Sequence, residues 1–297
     1  MRLSVPLLRQ LRLLNLLSPA PPSLPSLPSL SPSTASLLKN ASPKIHIPYS
    51  LGYALQTSLH SDILNGNQPD TLVLLQHSSV YTLGRRGDAH NLKGSVPAEV
   101  KNVLKRGYPH QHSSIIGLGN SSPYHEIYSS SQSSEILKHP RNGADIVRTT
   151  RGGDITYHGP GQLTCYPLLD LGSGEYEKDL HWFLDKVEGV VIKVLDRWGL
   201  KGERDERGTG VWVGGRKIAQ VGIGCSRWVT MHGFAVNVKR ETEPYFREIV
   251  PCGIEEGVGK VTNLEEVLDR EVEVEEVAEE VVRCFEDEFG VSINISS

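Results

Sequence analysis

Apolar and polar positions alternate in distinct ways along this chain, and each pattern predicts an element. A helix-like stretch runs from about Ser50 to Leu64. Thr71-Leu-Val-Leu-Leu-Gln-His77 is a short apolar run that reads as a buried strand, and Val80-Tyr-Thr-Leu83 reads as a second, ended by Gly84. After a long polar stretch, order returns at Asp145-Ile-Val-Arg148, and Leu163 to Leu171 reads as another buried strand. Between Asp179 and Trp198, Leu180, Phe183, Leu184, Val187, Val191, Val194 and Leu195 recur at helical spacing. Strands are expected at Thr209 to Val213, Lys217 to Cys225 and His232 to Val238, then a short helix from Phe246 to Val250. Thr262-x-x-Glu265 has the form of a capping box. A last amphipathic helix is expected from about Val274 to Phe289, with Val277, Val281, Phe285 and Phe289 in its stripe. The mixture predicts an α/β or α+β fold, a sheet covered by helices.

Two segments break the pattern. No acidic residue precedes Asp62, and nine of the 18 prolines lie in the first 48 residues. Leu3, Leu7, Leu11 and Leu14 share one face of a notional helix, with Arg2, Arg9 and Arg12 opposite. That is the pattern of an organelle transit peptide, followed here by a Pro/Ser/Leu-rich leader. Residues 1–44 are therefore expected to lie outside a catalytic body of residues 45–297. Cutting near Lys44 removes five basic residues and moves the net charge from −4 to −9. The second segment, residues 97–143, holds nine serines between Ser113 and Ser134 and is expected to be a disordered surface insertion. Its histidines, His110, His112, His125 and His139, lack partner carboxylates or cysteines at ligand spacing, so no metal site is expected.

Composition then narrows the function. With 297 residues and 38 % hydrophobic content, the chain can bury a sizeable core. Four cysteines are too few for a disulfide scaffold. The net charge of −4 argues against non-specific nucleic-acid binding. No apolar run reaches the roughly 18 residues that a membrane span needs.

The candidate chemistry lies in three places. Arg151 to Gln162 reads Arg-Gly-Gly-Asp-Ile-Thr-Tyr-His-Gly-Pro-Gly-Gln, a glycine-rich backbone able to approach a ligand, with Arg151, Thr156, Tyr157, His158 and Gln162 to orient it. It is neither a P-loop nor a dinucleotide fingerprint. Lys217 follows the Gly214-Gly215 turn into an apolar strand, where partial desolvation suits a lysine to act as a base. Cys252 lies in the turn Pro251-Cys-Gly253, placed as a nucleophile would be. Cys165, Cys225 and Cys284 read as structural. Making a thiolate of Cys252 needs a nearby cation or base, and both Lys217 and His158 are candidates. His232, at the head of a strand, reads equally well as a structural histidine.

These residues resemble the lipoyl(octanoyl) transferase family. The family's signature has the form Arg-Gly-Gly-x-x-Thr-aromatic-His-x-x-Gly-Gln-x-x-x-Tyr, and here it runs from Arg151 to Tyr166. Tyr81-Thr-Leu-Gly84, Thr209-Gly-Val-Trp-Val with Lys217-Ile-Ala, and Val250-Pro-Cys-Gly-Ile254 agree with it. Lys178-Asp-Leu-His-Trp-Phe183 looks like the plastid branch of the plant members. The resemblance implies a fold like that of biotin and lipoate protein ligases, a mixed sheet flanked by helices with a second smaller sheet. It implies transfer of an octanoyl group from octanoyl-acyl carrier protein to the lysine of lipoyl domains, those of 2-oxoacid dehydrogenase complexes and of the glycine cleavage H protein. Cys252 matches the family's nucleophile and Lys217 its partner. Arg151, Gly152, Gly153, Asp154, Ile155, Thr156, Tyr157 and His158 would line the acyl site, completed by Gln220, Val221, Gly222, Gly233, Phe234 and Ala235. No cofactor is implied, because the thioester is already activated. The expected compartment is the plastid stroma, with the mitochondrial matrix as the alternative. Three rival readings make different demands. An ATP-dependent lipoate or biotin ligase of the same fold would not need Cys252. A cysteine hydrolase would pass the acyl group to water, and a non-catalytic carrier-binding module would not react.

Overall fold

A computed structural model of the chain describes residues 9–17, 46–93, 137–250 and 261–294. Eight strands form the larger sheet: β1 (Arg9–Asn15), β2 (Thr71–Leu75), β6 (Gln162–Leu168), β7 (Glu203–Asp205), β8 (Gly208–Val213), β9 (Arg216–Ser226), β10 (Val229–Asn237) and β11 (Val291–Asn294). Their order is β11-β1-β2-β6-β10-β9-β8-β7. β1 runs parallel to both β11 and β2, and every later pairing is antiparallel. A three-stranded sheet, ordered β4-β3-β5, is made by β3 (Val80–Leu83), β4 (Asp145–Arg148) and β5 (Ile155–His158).

Alternation along the strands gives the larger sheet two unlike faces. One packs Leu163, Cys165, Phe234 and Val236 against helices α2 (Leu180–Arg197) and α5 (Val274–Phe289), with Phe183, Val187, Val191, Val281 and Phe285 fully buried between them. Asp179 caps α2 by accepting hydrogen bonds from His181 and Trp182. The other face meets α1 (Tyr49–Leu64) through Leu55, Leu59 and Ile63. Beside α1 sits the small sheet, with its own core of Tyr81, Leu83, Ile146, Ile155, Tyr157 and Phe246.

The N-terminal expectation is corrected. Residues 9–15 lie inside the sheet, between β2 and β11. Leu11 and Leu13 join the core under α2 and α5, and Leu14 joins the core under α1. Arg9 and Arg12, two of the three arginines read as a targeting face, are structural. Arg9 pairs with the buried Asp70 at 2.8 Å and lies 4.5 Å over the Tyr176 ring, while Arg12 Nε donates to Thr71. Leucine favours helices intrinsically, but the sheet offers these leucines burial on both faces, and tertiary packing overrides propensity.

Three boundaries also move. Leu137 to Gly143 belongs to the ordered body: buried His139 packs 5.1 Å from the Tyr81 ring, and Asn142 donates to the Tyr81 hydroxyl at 2.7 Å. The rest of the serine-rich insertion, with its other three histidines, lies outside the described residues. The short helix α3 is Glu243–Phe246, earlier than expected, because Pro244 presets the backbone of a first turn. Helix α4 (Leu264–Leu268) is capped by Asn263, one residue after the expected Thr262; Asn263 Oδ1 accepts from Glu266 N at 2.9 Å. Thr262 instead donates its hydroxyl to the Glu266 carboxylate at 2.7 Å.

Candidate active site

A cleft opens between the small sheet, the N-terminal turn of α1 and strands β6, β9 and β10 of the large sheet. It encloses about 590 Å³, mouth included. The arginine-glycine-glycine turn joins the two sheets. Buried Arg151 donates to the Thr82 carbonyl at 2.5 Å and to its hydroxyl at 2.9 Å, while Gly152 N donates to Ile223 O at 2.8 Å. One charged side chain thereby fixes β3, and the next backbone amide fixes β9. Gly153 adopts φ +84°, a conformation that disfavours any side chain, and the chain then turns into β5.

Eleven of the sixteen residues expected at the site line this cleft: Arg151, Gly153, Ile155, Thr156 and His158 on one side, Lys217, Gln220, Val221, Gly222, Gly233 and Phe234 on the other. Four others do not line it. Gly152 spends its amide on Ile223. Asp154 faces the neighbouring loop, accepting from Asp88 N, Ile155 N and Asn91 Nδ2. Tyr157 points into the small-sheet core, stacked 4.4 Å from Tyr245, because residue 157 falls on the opposite side of β5 from Thr156 and His158. Ala235 is buried in β10 beside Thr164 and Gln220. Cys252 lies outside the described residues.

Lys217 is 3 % exposed, with Nζ 4.7 Å from the centre of the Trp212 ring. Its aliphatic stem crosses Gly210, where a β-carbon would meet Lys217 Cε at 2.5 Å, so glycine leaves room for the lysine. The Lys217 carbonyl accepts from Thr262 N at 2.9 Å, and Lys217 bridges to Val261. Among the described residues the three cysteines are all poor nucleophiles. Burial raises the pKa of the Cys165, Cys225 and Cys284 thiols.

Burial favours the uncharged form of the histidines in and behind the cleft. Burial lowers the pKa of His158 well below the ordinary value, helped by neighbouring His77 and Arg151. His77, 6.0 Å behind it ring to ring, is pushed down to about 4 by burial. His77 Nδ1 faces the Ile47 carbonyl at 2.8 Å, so its Nε2 accepts from the Tyr166 hydroxyl at 2.6 Å. His232 is pushed to about 3 by burial and then by Arg151 and Arg85. Its backbone sits at φ +59°, strained for a non-glycine residue, held by its amide on Gln56 Oε1 at 2.7 Å and its ring on Thr150 at 3.0 Å.

Three polar atoms of cleft residues, Thr156 Oγ1, Thr164 Oγ1 and Gln220 Nε2, are buried with no hydrogen-bond partner among the described groups. Buried polar groups are normally satisfied, so such a cluster marks a place for a ligand's own polar atoms. Sequence reasoning missed Tyr49, Thr164, Tyr166, Thr209 and His232 as lining residues. Tyr166 and Thr209 sit inside the quoted motifs, which were a usable signal; Tyr49 and Thr164 carried none. Around the cleft, Arg151 is buried and Arg148 holds the Gly84 and Gly87 carbonyls, while Arg85 and Arg86 are exposed.

Comparison with known proteins now identifies the architecture. The model of the lipoyl protein ligase A/B catalytic domain matches residues 48–286. The chain belongs to that family. An octanoyltransferase of Gloeobacter violaceus is 39 % identical over 246 residues, covering 82 % of this chain and 87 % of that protein. A chloroplastic octanoyltransferase of Arabidopsis thaliana is 37 % identical, covering 73 % of this chain and 64 % of that protein. A mitochondrial octanoyl-[acyl-carrier-protein]:protein N-octanoyltransferase of Danio rerio is 35 % identical, covering 77 % and 81 %. The fold is also that of lipoate-protein ligase A solved with ATP, which superposes with a TM-score of 0.52 at 16 % identity over 80 % of this chain and 82 % of that one. The expected fold class, a mixed sheet flanked by helices with a second small sheet, is the one found. Among the described residues no helix is long and apolar enough to cross a membrane.

Proposed function

We propose that this chain transfers an octanoyl group from octanoyl-acyl carrier protein to the lysine of lipoyl domains, through a thioester on Cys252. One observation carries the reading. Lys217 lines a cleft opposite the Arg151–His158 block and bridges to Val261, which directly follows the ten residues 251–260 that include Cys252. The names of the relatives support the substrate, and the raised thiols of the other cysteines leave Cys252 as the candidate nucleophile.

In this scheme Lys217 takes the Cys252 proton. The thiolate attacks the octanoyl thioester, a new carbon–sulfur bond forms, and the carrier thiol leaves with the proton returned by Lys217. A lipoyl-domain amine then attacks the Cys252 thioester. The amide forms, the carbon–sulfur bond breaks, and the thiol is restored. No ATP is consumed. The arginine and lysine at the cleft favour negative charge developing on the carbonyl oxygen. Acceptors would be the lipoyl domains of 2-oxoacid dehydrogenase complexes and the glycine cleavage H protein. The compartment we infer is the plastid stroma, on the likeness of the Lys178–Phe183 block to plastid members, with the mitochondrial matrix as the alternative. The arginine–leucine face no longer argues for either, since residues 9–15 are a strand.

The test is intact-protein mass spectrometry after mixing the protein with octanoyl-acyl carrier protein. The expected result is an octanoyl adduct that maps to Cys252 and moves to a lipoyl domain when one is added. Octanoylation that appears only with free octanoate and ATP would replace the transferase reading with a ligase.

A further inference from the structure

Gln162 sits behind the cleft and joins two residues that line it. Its amide lies 2.8 Å from Asn237 Oδ1, 3.2 Å from the Tyr157 carbonyl, 3.3 Å from Gln220 Oε1 and 2.8 Å from His158 Nδ1. Asn237 in turn lies 3.0 Å from the carbonyl of Thr262. Gln162, Asn237, Thr262 and His158 are all buried.

The direction of every bond in this chain follows from its ends. A backbone carbonyl can only accept. The Thr262 carbonyl therefore requires the nitrogen end of the Asn237 amide, which turns the oxygen end toward Gln162. Gln162 must present its nitrogen there, and the Tyr157 carbonyl makes the same demand independently. The oxygen of Gln162 is left for His158, so Nδ1 of the histidine carries the hydrogen and Nε2 carries the lone pair. Gln162 Nε2 has two hydrogens, taken by Asn237 Oδ1 at 2.8 Å and the Tyr157 carbonyl at 3.2 Å; Gln220 Oε1, at 3.3 Å, shares one of them, which leaves Gln220 Nε2 as a buried donor without a partner among the described groups.

We propose that Gln162 is a positioning residue, oriented by Asn237 and the Tyr157 carbonyl, that holds His158 as a hydrogen-bond acceptor and Gln220 as a donor toward the cleft. A ligand with one N–H and one carbonyl oxygen fits that pair. In the transfer reaction, on which this role rests, those are the incoming lysine amine and the acyl carbonyl. The amine donates to His158 Nε2, and the carbonyl oxygen accepts from Gln220 Nε2. Thr262 ties the same device to the lysine side of the cleft, since its amide donates to the Lys217 carbonyl while its own carbonyl anchors Asn237.

The test begins on the wild-type protein without substrate, so it stands whether or not octanoyl transfer is the reaction. Long-range proton–nitrogen-15 spectra report the tautomer of each neutral imidazole, and the His158 signals are assigned by their loss in His158→Gln. The expected result is the Nδ1–H tautomer for His158; an Nε2–H tautomer overturns the proposal. In Gln162→Leu the acceptor for His158 Nδ1 is gone, and a mixture of both tautomers is expected, with kcat for octanoyl transfer reduced by roughly 10²-fold and KM for the acyl donor unchanged. A single Nδ1–H tautomer in that variant, or a rise in KM with kcat intact, overturns the role of Gln162. If Gln162→Leu fails to fold, the wild-type tautomer still decides the polarity of the relay.

Discussion

The two faces of the large sheet are cut from the same strands, yet they bury opposite kinds of group. On β6, Leu163 and Cys165 turn to the helices, while Gln162, Thr164 and Tyr166 turn to the cleft. On β10, Phe234 and Val236 face the helices, and Asn237 joins the polar relay. The helix face is close-packed hydrocarbon, and its charges sit outside the seam. The cleft face holds uncharged histidines, amides, a buried arginine and unpartnered hydroxyls. Burying such groups costs stability unless each is paired. The comparison therefore separates where the fold gets its stability from where that stability is spent on a reactive surface.

The strongest challenge to this division is a chain lacking residues 1–44. If they were a dispensable leader, unfolding would be unchanged. The structure gives the opposite expectation. β1 lies between β2 and β11, and among the described residues β11 has no other strand partner, so the deletion leaves β11 unpaired, exposes the edge of β2 and removes core leucines from both faces. Loss of a cooperative urea transition is expected, monitored by circular dichroism. A transition like that of the full chain would return residues 9–15 to the status of a leader.

The next largest effects separate the faces. Lys217→Ala should slow octanoyl transfer by roughly 10² to 10⁴, the range of an acid–base partner, in a protein that still unfolds cooperatively. A wild-type rate would remove Lys217 from the chemistry. Phe285→Ala, in the seam between α2 and α5, should do the reverse. It should cost about 3 to 5 kcal/mol in urea stability while the folded fraction keeps its transfer rate. Loss of rate without loss of stability in Phe285→Ala would show that the two faces are coupled.

How much of this was legible in the sequence follows the same line. The helix-face elements read well because their apolar spacing is regular. The last helix was expected from Val274 to Phe289 and is found there, and α2 is found within one residue of its expected ends. β1 was misread because Leu3, Leu7, Leu11 and Leu14 also satisfy a helical period, and only the distant β2 and β11 decide between helix and strand. β5 was hidden for another reason. Ile155 to His158 alternates in and out correctly, but it sits between glycine turns and carries the motif residues, so chemistry masked a strand. At the site, the motif spacing located Arg151, His158, Lys217 and Gln220. It could not show that Tyr157 and Asp154 turn away, since that depends on pairing with β3 and on the loop at Asp88. Thr164 and Tyr49 were illegible, because their place in the cleft arises from register across the sheets alone.

The faces should also differ in their response to pH. His77 is held near 4 and His232 near 3 by burial, against an ordinary value of 6.5. Below pH 6.5 the unfolded chain takes up protons that the folded protein refuses, so stability is flat above that pH and falls as pH drops through the window from 6.5 to 4. His158 is lowered too and adds in the same sense. Buried Asp70 and Glu188 are raised and act oppositely, but from lower ordinary values. Going from pH 7 to pH 5.5 should cost about 1 kcal/mol for each of His77 and His232. Urea midpoints at the two pH values measure it. Replacing His77 with phenylalanine should flatten the slope by its share, and an unchanged slope would mean that His77 titrates normally in the folded state.

The smallest expected effect tests the outer rim of the helix face. Arg283 reaches Glu280 at 2.5 Å and Glu279 at 3.6 Å on α5, with about half of its side chain in water. Pairs of this kind gain little, because water screens them and two long side chains must be held in place. Arg283→Ala should therefore lower the unfolding free energy measured in urea by no more than about 0.5 kcal/mol and leave transfer untouched. The contrast with Arg151 is the informative part. Both are arginines with several partners, but Arg151 is buried on the cleft face and joins β3 to the glycine turn through Thr82 and Gly152. Removing it leaves the Thr82 carbonyl without its charged donor. If Arg283→Ala cost as much as Arg151→Ala, burial would not be what distinguishes the two faces, and the division drawn from β6 and β10 would fail with it.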